Sequence, residues 1–161
     1  MRFSGVIALA LVGAAASSTL IEPARADAKL TAMVVVEGAC QNLTIGGEDH
    51  TATCKGTLLN TEYDDERTGF YFVTTTEQIT VTFSTRGDQE QKPDADTVTA
   101  PVDMVIVSSG GKIDRLQATG TCQFGNPYKG PMLIECAADS ERGRFEGAFL
   151  TDGKEPEAKT F

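Results

Sequence analysis

Gln78-Ile79-Thr80-Val81-Thr82-Phe83-Ser84-Thr85 alternates residue by residue, with Ile79, Val81 and Phe83 on one parity and Thr80, Thr82 and Ser84 on the other. Side chains of a β-strand point to opposite faces with a period of two, so this octet reads as a strand with one apolar and one wet face. Outward from it, the same short apolar alternation recurs over 30–39, 51–59, 70–75, 98–107, 112–121, 132–138 and 144–150. Turn residues break each run, and no stretch after residue 26 carries a convincing helical period. The expected fold is all-β: a single antiparallel domain over 27–150 of about eight strands. An up-and-down barrel or curled meander is the first choice and a two-sheet sandwich the second. The immunoglobulin version is disfavoured, because the chain has no tryptophan and its cysteine partners lie close together. Residues 151–161 read as a polar tail that frays or docks loosely.

The four cysteines fall into two pairs of equal spacing, Cys40/Cys54 and Cys122/Cys136. Opposed residues in an antiparallel hairpin have positions that sum to a constant set by the turn. The first midpoint is Gly47, within Gly46-Gly47-Glu48; the second is Lys129, within Pro127-Tyr128-Lys129-Gly130-Pro131. Opposed positions that exchange no backbone hydrogen bonds bring Cα atoms to about 4.5 Å, within disulfide reach. The spacing therefore predicts hairpin disulfides Cys40–Cys54 and Cys122–Cys136. The competing arrangement joins the end strands of a closed sheet and crosses the bridges between hairpins. A loop of this size stabilises the fold by roughly 3 kcal/mol in the chain-entropy account. Structural zinc and redox chemistry favour C-x-x-C spacings, which are absent, and the single histidine is His50.

The first 26 residues have the parts of a cleavable secretory signal: Arg2, an apolar run over 6–16, and the small-x-small site Ala24-Arg25-Ala26. Eleven apolar residues make about 16 Å of helix, short of the ~30 Å needed to span a bilayer. A periplasmic or secreted location follows, with no membrane insertion after cleavage. Removal of Arg2, Arg25 and Glu22 with the signal leaves 12 basic and 22 acidic residues, a net charge of −10. Such a body repels phosphate backbones, so nucleic acid is excluded as a partner, and a cationic protein or ligand is favoured.

Catalytic constellations are missing: there is no G-x-S-x-G and no H-E-x-x-H. His50 is expected to be solvated at a hairpin tip, and Ser109-Gly110-Gly111-Lys112 lacks phosphate-loop spacing. Asp64, Asp65, Glu66, Asp94 and Asp96 are weak metal candidates, since hard oxygen ligands suit calcium but the spacing matches no known loop. No cofactor is expected. In Asn126-Pro127-Tyr128-Lys129-Gly130-Pro131 two prolines stiffen a loop that displays an aromatic beside a cation, which makes Tyr128 and Lys129 candidate partner-binding residues. The leading expectation is an exported, non-catalytic binding or inhibitory module. A small-molecule carrier with an apolar barrel interior, a carboxylate-dependent hydrolase and a structural envelope protein are the alternatives. Peptide mapping without reductant should recover Cys40 joined to Cys54 and Cys122 joined to Cys136; Cys40 joined to either distal cysteine would overturn the assignment.

Overall fold

Gly46-Gly47 (φ 61° and 91°) and Gly110-Gly111 (φ 57° and 80°) occupy the left-handed region that two-residue hairpin turns demand, and they set the strand ends around them. The computed structural model describes residues 28–161; the export signal expected over 1–26 lies outside the described residues. Ten strands follow one another: β1 (Leu30–Ile45), β2 (Glu48–Asp49), β3 (Thr57–Tyr63), β4 (Arg67–Val73), β5 (Thr80–Arg86), β6 (Thr97–Ser109), β7 (Lys112–Gly125), β8 (Leu133–Ser140), β9 (Gly143–Thr151) and β10 (Glu157–Thr160). Strands β3 to β9 each pair antiparallel with the next, β1 pairs β3, and β9 returns to β1. The result is a closed eight-stranded up-and-down barrel, the first of the two expected architectures, with β2 and β10 as additions.

Closure rests on β1. Its residues 30–37 pair with β3 and its residues 38–44 with β9. The register shifts between Cys40 and Asn42, so Gln41 is an extra residue on β1. A bulge of this kind bends the strand and reverses which parity faces inward. Val34 and Val36 face the core before it, and Leu43 and Ile45 after it.

Eight strands enclose an interior just wide enough for side chains to fill. Phe70, Phe72, Phe83, Phe145 and Phe149 fill it with Leu43, Leu58 and Ile134, all at most 2% exposed. Phe72 and Phe83 meet edge to face, centroids 5.8 Å apart at 82°, the arrangement that ring quadrupoles favour. Gly147 is the floor under Phe72: a Cβ added there would lie 2.6 Å from its ring.

Both disulfides form as the spacing predicts. Cys122 and Cys136 oppose each other across β7 and β8, with Cα atoms 4.0 Å apart. The first pair forms by a different route. Gly46-Gly47 is a two-residue turn, so Thr44 opposes Asp49 and Ile45 opposes Glu48. In that register Cys40 and Cys54 do not face each other, and the hairpin stops after these two pairs. The chain instead turns through a 3-10 segment (Thr51–Thr53), which brings Cys54 back towards Cys40 at a Cα distance of 5.9 Å. The strand expected over 51–59 is accordingly displaced to β3.

Three further expectations are corrected. Thr82 and Ser84 are not wet (4% and 7% exposed): Thr82 lies in register between Tyr71 and Ile106, and Arg67 Nη1 donates to Ser84 Oγ at 3.0 Å. His50 is largely covered, with Nδ1 3.1 Å from Glu77 Oε2. The tail neither frays nor hangs loose, because β10 pairs residues 157–160 with residues 32–35 of β1. Overpacking a filled core costs about 1–3 kcal/mol. Gly147→Ala should therefore lower the melting temperature by several degrees; an unchanged value would mean that the barrel interior holds spare room beside Phe72.

Candidate functional site at the barrel mouth

The two ends of the barrel differ. One is closed largely by tight turns, at Gly46-Gly47, Gly110-Gly111 and Glu141-Arg142. The other carries the connections 64–66, 87–96 and 126–132 and the segment 152–156 that leads to β10. Asp64, Asp65, Glu66, Asp94, Asp96, Tyr128 and Lys129 all lie at this second end, the mouth. The Gly46 to His50 tip lies at the opposite end.

The 126–132 loop roofs the mouth and is moored on several sides. Cys122–Cys136 closes its base. Asn126 Oδ1 accepts from the Tyr128 amide at 2.9 Å, capping a 3-10 turn (Pro127–Lys129). Lys129 Nζ pairs with Asp96 on the neighbouring loop. The Met132 amide donates to Thr151 Oγ1 and the Thr151 amide to the Met132 carbonyl, both at 2.9 Å. Lys129 is thus a strut of the roof, whereas Tyr128 is 56% exposed at its edge.

Beneath the roof lies a cavity of about 210 Å³. Leu58, Phe70 and Ile134 form its floor, Val34, Val36, Phe124 and Met132 its walls, and Pro127 and Tyr128 its cover. Phe70 and Phe124 stack at 4.9 Å with a 51° tilt, which joins the wall to the core. Two polar side chains enter this lining, Asn60 and Glu62. Asn60 Nδ2 donates to the Gly69 carbonyl at 3.1 Å. A second recess of about 280 Å³ adjoins the first and shares Glu62; Thr31, Glu66, Thr68 and Glu90 also line it.

Two arginines near this recess are already paired. Arg67 holds Asp103 through two bonds of 2.7 and 2.8 Å, and this hydrogen bonding raises the guanidinium pKa. Arg86 grips Asp88 through two bonds of 2.9 Å and holds that carboxyl below its ordinary value. Among the described residues no basic side chain lies within 4 Å of the Glu62 or Glu90 carboxylate. Burial pushes the Glu90 carboxyl up, opposed by Lys92 and reinforced by Glu62.

The acidic loop residues do not assemble a metal centre: no group of three or more possible ligands occurs among the described residues. Asp64 Oδ1 accepts from the Lys29 amide, and Asp65 Oδ1 from the Arg67 amide. Asp94 accepts from the Asp96 and Thr97 amides, which holds its carboxyl low. On the outer wall, Glu135 and Glu146 line a shallow groove with Asn42, Thr121 and Gln123. Glu146 is tied there, accepting from Arg144 Nε at 3.1 Å and from Asn42 Nδ2 at 3.4 Å.

The fold and its mouth define a disulfide-braced eight-stranded β-barrel with a roofed recess at one end. Comparison with protein-family models, curated proteins and solved structures finds no match for the chain.

Glu62 and Asn60 were missed by the sequence reading. Their signal is the inward parity of β3, which runs Leu58, Asn60, Glu62 and so turns from apolar to polar as it nears the mouth. A carboxyl raised by burial weakens the fold above its folded pKa, and this cost vanishes once both states are protonated. Glu90→Gln should therefore raise the melting temperature near pH 7, and the gain should disappear by about pH 4. A gain that persists in acid would contradict burial of an ionised Glu90.

Proposed function

We propose that the protein is an exported, non-catalytic binding module whose ligand site is the barrel mouth. The observation that carries this reading is the apolar cavity under a loop rooted by its own disulfide. A loop held in place before binding loses little conformational entropy when it closes over a ligand. The interior beyond the cavity is filled by phenylalanine, so a carrier function, if exercised, uses the mouth rather than the barrel axis. Export is supported by the signal-like segment over 1–26 and by two disulfides, which suit an oxidising compartment. Among the described residues no helix is long and apolar enough to cross a membrane.

Size limits the ligand. An apolar cavity of about 150 Å³ accommodates benzene, so about 210 Å³ suits one ring or a compact alkyl group. An inhibitory module that docks its rim on a cationic protein is the second reading, favoured by Asp64, Asp65, Glu66 and Asp94 around the mouth; there the cavity receives a partner side chain. Amide NMR titration with indole and with cyclohexanol should shift residues 58–62 and 124–134, and Tyr128→Ala should weaken binding. Saturating probe that leaves these amides unmoved, or moves a different surface, would sink the reading.

A further inference from the structure

We propose that the mouth selects a small amphiphilic organic cation, with a one-ring aromatic or branched-alkyl group in the apolar cavity and an ammonium against the Glu62 carboxylate. This deepens the binding-module reading and rests on it. Two adjoining compartments carry the inference. The first is apolar apart from Asn60 and Glu62. The second is polar, and Glu62 belongs to both, at their junction. A ligand that fills the first compartment meets its polar lining side chains at Asn60 and Glu62, and Glu62 is the one that also lines the second.

Charge decides what that end is. Glu62, Glu66 and Glu90 line the second compartment. Arg67, the cation that also lines it, is committed to Asp103 in a two-bond pair, and Arg86 nearby is committed to Asp88. Burial raises the Glu90 carboxyl, Lys92 opposes that rise and Glu62 reinforces it, so a further positive group near both carboxylates acts in the same direction as Lys92. An anion in the same place meets the carboxylates of Glu62, Glu66 and Glu90 and the net charge of −9 of the whole chain. Among the described residues no lysine or arginine side chain of the protein reaches Glu62 within 4 Å, so the position is open to an external cation. Aromatic walls at Phe124 and Tyr128 add offset or edge contacts to a ring.

Three probes of equal size separate the terms: phenethylammonium, 2-phenylethanol and phenylacetate, titrated into the disulfide-bonded protein and followed by amide NMR. Exposed ion pairs contribute little singly, so the ammonium should bind about two- to fivefold tighter than the alcohol, and phenylacetate weakest. Raising salt from about 0.05 M to about 0.5 M should narrow the ammonium preference, because exposed charges are screened. Glu62→Gln, at an exposed position, should abolish the ammonium preference, with the melting temperature of the variant checking that the fold is kept. If alcohol and carboxylate shift the mouth amides as strongly as the ammonium, cation selection is wrong and the binding module stands. If no probe shifts the mouth, the binding reading itself falls and takes this inference with it. An ammonium preference that survives Glu62→Gln overturns the role given to Glu62.

Discussion

The pairing of β1 with β9 is the constraint on which the rest depends. An eight-stranded meander with its ends apart leaves two long edges of unpaired N–H and C=O groups, each a template for association. Here one strand serves both neighbours: residues 30–37 of β1 bond to β3, residues 38–44 to β9, and the bulge at Gln41 bends the strand between these duties. The bend leaves the first half of β1 without β9 beside it, and β10 takes that place along residues 32–35. Cys40 sits next to the bulge, and its bond to Cys54 ties the bent half of β1 to the segment that enters β3.

Closure then divides the molecule into a packed body and an unfilled end. Where all eight strands run side by side, phenylalanines from β4, β5 and β9 interdigitate and leave no room, as the contact between Phe72 and Gly147 shows. Beyond Thr151 the barrel loses β9; the short strand β10 lies beside β1 there, and the roof loop, tied to Thr151, covers what the strands leave open. The cavity exists because a loop of 3-10 turn and proline cannot pack as densely as a strand in register. Its position next to β1 follows from the bend that closes the barrel.

Much of this was legible because period-two patterning and turn chemistry are local signals. The octet around Val81 and Phe83, the two Gly-Gly turns and the equal cysteine spacings led to the strand set, the barrel and both disulfides. The roof loop stood out through Pro127 and Pro131, whose backbone restriction is written in the residue type. What stayed hidden is non-local. The route by which Cys54 reaches Cys40 depends on a two-residue turn and a 3-10 segment, not on the symmetric hairpin that the midpoint at Gly47 suggested. Glu62 looks like one acidic residue among many until β3 is placed beside β1 and β4 and its parity becomes an inside and an outside. Pairing of the polar tail with β1 is likewise invisible, since Glu157 to Thr160 has no apolar face to announce a strand.

The bulge on β6 links the barrel wall to the character of the mouth. Register with β5 shifts between Ser84 and Thr85 because Asp103 is an extra residue, and the inward parity of β6 changes from Val102 to Val105. Asp103 is thereby turned outward, where it accepts from Nη1 and Nη2 of the Arg67 guanidinium. Arg67 lines the same recess as Glu62 and Glu66, and its charge is engaged by that carboxylate. A two-bond arginine–carboxylate pair is geometrically specific and hard to displace, so the arginine stays with the wall. Among the described residues neither Glu62 nor Glu90 then has a basic side chain within ion-pair distance, with Lys92 acting on Glu90 only from further away, and the register adjustment of β6 contributes to the acidity of the mouth.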